Sequence, residues 1–113
     1  MADWLFEVQD RDGNQVHLAR FRWEMHIAVK HSEVVPYQAE IQQVIQSPGI
    51  ITREESGTYH LARLGAVGGK WASLYLEVVA RYTTSSGVVT GNVLTVYFNG
   101  RPPKGELQWL TKG

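Results

Sequence analysis

Apolar residues change their spacing twice along this chain. At the start they alternate: Trp4, Phe6 and Val8 fall on one side, Leu5 and Glu7 on the other, which is the period of a strand. Asp10-Arg11-Asp12-Gly13-Asn14 interrupts the alternation with turn residues, and Val16 and Leu18 resume it, so a β-hairpin opens the chain. The spacing then becomes three and four. Trp23, Ile27, His31 and Val34 share one helix face, while Arg22, His26 and Lys30 share another. Ser32 breaks or caps this helix, and Pro36 fits the first turn of a second, whose stripe is Tyr37, Ile41, Val44 and Ile45. Ser47-Pro48-Gly49 stops it, because Pro48 cannot continue the hydrogen-bond ladder. Helix is thus expected over about 20–47.

After Gly49 the alternation returns. Strands are expected at 50–52, 58–64, 73–82 and 88–98, with an edge strand at 106–110. Segregated helices and strands argue an α+β fold: a hairpin, two helices, then an antiparallel meander. The helices cover one sheet face. The predicted core is Ile27, Ile41, Val44, Leu76, Val78, Leu94 and Val96, with 73–82 as the central strand. The opposite face carries Tyr75, Glu77, Arg81, Thr95 and Tyr97 and is expected to be open.

Composition narrows the classes. A length of 113 residues points to one domain, 1–113. The absence of cysteine excludes disulfides, thiolate metal sites and a cysteine nucleophile. No apolar run approaches the ~20 residues of a membrane helix. The start Met1-Ala2-Asp3-Trp4 lacks a signal-peptide pattern, so a cytoplasmic protein without membrane partners is expected. The net charge is zero, but residues 1–55 carry five basic residues against nine acidic and residues 56–113 carry six against two. The basic half suits a polyanion, or the halves simply attract each other.

Gly65-Ala66-Val67-Gly68-Gly69-Lys70 lacks the ending of a phosphate loop and joins two strands, so it is expected to be a mobile hairpin loop from which Lys70 can reach a ligand. His26 and His31 are five apart, too far round a helix to share one ion easily, so neither a metal nor another cofactor is expected. His26 lies between Arg22 and Lys30, cations that favour its neutral, proton-accepting form and can receive a phosphate; a merely solvated face is the plain alternative. For His31 the plain expectation is a partly buried ring bonded to a backbone carbonyl. His60, Arg81, Thr95 and Tyr97, with Glu77, come from neighbouring strands. Such groups are the parts of a metal-free RNase: a base for the 2′-hydroxyl, an acid for the leaving oxygen, and arginine for the phosphorane. Cross-strand stabilisation of a sheet face is the competing account.

The order of these segments resembles a known family. Asp12-Gly13 with Val16 and Leu18, then Arg22-Trp23, His26-Ile27, Lys30-His31 and Glu33, look like the "rW-x-x-HI-x-x-(R/K)HPE" signature of a small phage- and mobile-element-associated family, with Ser32 where proline is usual. Pro48-Gly49-Ile50 resembles its step after the second helix, and Tyr75–Val79 and Val93–Tyr97 resemble its core strands. That family is grouped with the barnase/EndoU/colicin/RelE-like nucleases. The resemblance implies two helices on a four- to five-stranded antiparallel sheet and metal-independent RNase activity of a toxin-like kind, with RNA as substrate and an antitoxin or ribosome as partner. Carried over, the site positions are His26, His31, Thr95 and Tyr97, with Arg81 following the first core strand. Together the residues and the resemblance nominate His26, His60, Arg81, Thr95 and Tyr97 for catalysis, and Arg22, Lys30, His31 and Lys70 for substrate binding. The alternative is a non-catalytic module of the same fold that binds protein or nucleic acid.

Overall fold

The computed structural model describes residues 3–111; Met1, Ala2, Lys112 and Gly113, the ends of the single domain read from the sequence, lie outside them. The opening hairpin forms as expected, with β1 (Trp4–Gln9) antiparallel to β2 (Gln15–Ala19). Gly13 sits in its turn at φ +85°, a conformation glycine adopts without penalty. The Asp10 side chain accepts from the backbone N–H of Asp12 and Asn14 and fixes the loop.

The helical middle follows as α1 (Arg20–Arg22), a π turn (Trp23–Ile27), α2 (Ala28–Lys30), a 3-10 turn (Ser32–Tyr37) and α3 (Gln38–Gln46). Trp23, Ile27 and Val34 are buried, as their spacing requires, and so are Ile41, Val44 and Ile45. His31 departs from its expected helix face. The α-helix ends at Lys30, and His31 adopts φ −133°, ψ 56°, which turns its ring out of the stripe.

The meander supplies β3 (Ile50–Arg53), β4 (Thr58–Leu64), β5 (Tyr75–Ser85), β6 (Val88–Asn99) and β7 (Glu106–Leu110). All belong to one sheet in the order β1-β2-β6-β5-β4-β3-β7, so β5 is central, as expected. The expected four to five antiparallel strands become seven, one pair of them parallel. The hairpin joins the sheet through β2, which runs parallel to β6, and β7 adds outside β3.

The core is a layer of β1, β2, β4, β5 and β6 side chains under the helices, including Leu18, Leu76, Val78 and Val96. Leu94, expected in that core, is only half-buried. Val79 pairs with Thr95 but Ala80 pairs with Val93, so Leu94 is the extra residue of a β-bulge. A bulge reverses the facing of everything beyond it, and Val93 takes the buried position. Val93→Ala should therefore cost about 1–3 kcal/mol in chemical denaturation, and Leu94→Ala less than about 1 kcal/mol. The reverse order would place the bulge elsewhere.

The glycine-rich loop between β4 and β5, expected to be a mobile hairpin loop, packs against the body of the protein. Val67 is buried, and Trp71 lies flat on Phe98 at 4.1 Å while donating to the Tyr37 hydroxyl at 3.1 Å.

Candidate functional site

The sheet face away from the helices brings together the expected strand residues. Register places His60 beside Val79, and Val79 beside Thr95; one row along, Ala62, Glu77 and Tyr97 are neighbours. His60 on β4 thus sits diagonal to Glu77 on β5, and its Nδ1 lies 2.6 Å from Glu77 Oε2. Tyr97 on β6 donates its hydroxyl to the same oxygen at 2.8 Å, and Asn99 Nδ2 donates to Oε1 at 3.0 Å. Glu77 is 1% exposed, so all its compensation comes from these three donors.

The other side of the imidazole meets a second carboxylate. His60 Nε2 lies 2.6 Å from Glu54 Oε2. Glu54 follows directly on β3, in the turn to β4, and its side chain is 42% exposed. The result is a chain of short hydrogen bonds from Tyr97 through Glu77 and His60 to a carboxylate that reaches solvent. The two carboxylates bind opposite ends of one ring, so they do not converge on a common ion. Among the described residues no group of three or more His, Asp or Glu could hold a metal.

This face is not open, contrary to expectation. His60 is 5% exposed, Val79 is buried, and the Thr95 hydroxyl is buried with no partner among the described residues. The 99–105 connection, which joins β6 to β7 at the far edge, contributes to the cover. The Thr52 hydroxyl donates to the Lys104 carbonyl, and Pro103 is buried. Gly105, at φ +108°, lies so close to Arg53 that a Cβ would stand 2.8 Å from its carbonyl oxygen. Glu54, half-buried Tyr97 and His31 remain as the approaches.

His31 reaches Tyr97 from the helical run, with ring centroids 5.5 Å apart, and its Nδ1 is 3.7 Å from Glu33. Its partners are thus side chains rather than the expected backbone carbonyl. Arg22 donates to the Leu94 carbonyl at 3.4 Å, at a stretch of β6 that β2 does not pair. Burial and the hydrogen bond to Glu77 push the Tyr97 phenol well above its ordinary range, so it stays a neutral donor.

The other nominated residues divide. Arg81 is exposed, pairs across the ladder with Thr58 and reaches its hydroxyl at 3.4 Å; Thr58 also accepts the Glu54 backbone N–H through its carbonyl, so Arg81 and Glu54 flank the same residue. His26 is not joined to His60: it stays on the helical run between Arg22 and Lys30. Desolvation, then the Lys30 and Arg22 cations and His31, hold it below its ordinary value of 6.5. Its ring resonances should titrate below that value in NMR, and Lys30→Gln should move the midpoint upward. Lys70 is also separate. Its ammonium lies 4.9 Å from the Trp71 ring, which stacks on Phe98. Phe98 opposes Leu76, two positions along β5 from Val78, under the helices.

Glu54 and Asn99 escaped the sequence reading because both look like turn residues. Strand parity holds the missing signal for Glu54. Thr52 opposes His60, so Glu54, two residues on, returns to the same face. No helix among the described residues is long and apolar enough to cross a membrane. Comparison with known proteins finds no match for this chain among family models, curated proteins or solved structures.

Proposed function

We propose that this α+β protein is a metal-independent RNase that cleaves by attack of the 2′-hydroxyl. The observation that carries the proposal is the His60 ring held at 2.6 Å between a buried carboxylate and a solvent-reaching one. Glu54 takes the 2′-hydroxyl proton, and the 2′ oxygen attacks phosphorus. His60, positioned by Glu77, supports the charge changes on Glu54 as a positioning residue. Arg81, beside Glu54 across Thr58, neutralises the phosphorane. His31, half-exposed next to Tyr97, donates the proton to the departing 5′ oxygen. Arg22 and Lys30 hold flanking phosphates, and Tyr97 borders the bound base. Histidine 26 and Lys70 have no direct part. A toxin-like role, with an antitoxin or ribosome as partner, belongs to this reading through the resemblance alone.

The purified protein should cleave RNA and leave DNA intact, because DNA lacks the nucleophile. Cleavage should persist in EDTA and yield 2′,3′-cyclic phosphate and 5′-hydroxyl ends. The competing account, a binding module, draws on one specific fact: both His60 nitrogens are already engaged. RNA left intact, with and without translating ribosomes, would establish that account instead.

A further inference from the structure

The helical run 20–30 carries three large apolar side chains that face solvent. Phe21 is 75% exposed, Met25 64% and Val29 71%. They recur every fourth residue, so they form one stripe, while the buried contacts of the same run are made by Trp23 and Ile27. Single exposed apolar residues are ordinary, but an aligned set is the pattern of a binding surface.

The borders of the stripe are asymmetric. Arg22, His26 and Lys30 follow Phe21, Met25 and Val29 by one residue each, and neither Arg22 nor Lys30 has an ion pair among the described residues. Glu24 lies before Met25, and Arg20, before Phe21, is held by Asp3 at 3.2 Å. One border is therefore basic and the other is not.

We propose that this stripe docks an acidic amphipathic helix of a partner protein. Its apolar residues would cover Phe21, Met25 and Val29, and its glutamates would face Arg22 and Lys30. Two features of the surface select this occupant. A second copy packed antiparallel about a twofold axis would set like borders together, bringing Arg22 against Lys30 of its mate, which is repulsive. Three apolar side chains also fall well short of the ~20–30 residues a side of a standard interface between folded proteins, but they match the anchors of one bound helix. An anionic membrane is disfavoured because the basic border offers only two unpaired cations among the described residues, Arg22 and Lys30, where an anionic lipid surface calls for a cluster of about four to eight. The inference does not depend on the RNase reading.

The probe is a synthetic helical peptide with leucine at i, i+4 and i+7 and glutamate along one border. Its control carries lysine in place of glutamate. The glutamate peptide should bind the full chain at least ~10-fold more tightly than the control, with amide shifts mapping to residues 20–30. The double variant Phe21→Ser/Val29→Ser, at exposed positions that leave the fold intact, should weaken it by at least ~10-fold at an unchanged melting temperature. Equal affinity for the two peptides, or no binding, overturns the proposal. So does a dimer in sedimentation equilibrium that the double variant dissolves, tighter binding to phosphatidylserine vesicles than to the peptide, or RNA displaced by the loss of Phe21 and Val29 alone.

Discussion

Glu77→Ala should destabilise the protein by about 3–5 kcal/mol, lowering the melting temperature by roughly 10–20 °C. The carboxylate lies at the centre of the sheet and is 1% exposed. It receives the His60 ring, the Tyr97 hydroxyl and the Asn99 amide, and removing it strands all three away from water. Glu77→Gln keeps the shape and one acceptor oxygen, so it should cost less, about 1–3 kcal/mol. Thermal and urea unfolding of the two variants checks both values. A loss under about 1 kcal/mol for Glu77→Ala would mean that water replaces the carboxylate and that the cluster is less enclosed than described.

The size of that effect explains why the face is unusual. A polar sheet face exposed to water would tolerate such a change with little loss. Here the same substitution cuts through a buried network, because Thr52, His60, Glu77 and Val79 on this face are all withdrawn from solvent. The network holds the His60 ring between two carboxylates, of which Glu54 is the one that reaches solvent.

Much of this arrangement was legible in the residues. Strand period identified β4, β5 and β6 and placed Glu77, Thr95 and Tyr97 on one face; whether His60 joined them depended on register, which sets His60 opposite Val79. The change to a spacing of three and four located the helices, including the burial of Trp23, Ile27, Ile41 and Val44. Three physical effects were not legible. A bulge shifts facing by one residue without changing composition, which is why Leu94 and Val93 exchanged roles. Pairing between strands distant in sequence is set by packing, so the parallel union of β2 with β6 left no local mark. The π turn and the end of the helix at Lys30 moved His31 off its stripe and onto Tyr97. Lys70 lies apart from the His60 cluster for a related reason: its loop packs through Trp71 on Phe98, a contact that the glycines around it did not suggest.

The sharpest consequence for chemistry falls on Glu54. Glu54→Gln preserves size and a hydrogen bond to His60 but cannot take a proton. If Glu54 is the base, this variant should lower RNA cleavage by about 10²–10⁴-fold. Its melting temperature should stay close to that of the parent, since the side chain is 42% exposed and tolerates polar replacement. Arg81→Ala should act on the same step through the phosphorane, with a loss of about 10²–10³-fold and little change in stability.

Single-turnover cleavage of RNA in EDTA by the parent and by Glu54→Gln, side by side, is the most direct test. The account predicts 2′,3′-cyclic phosphate products from the parent and a drop of at least ~100-fold in the variant at matched stability. Equal rates for the two proteins, or parent activity lost to EDTA, would contradict it.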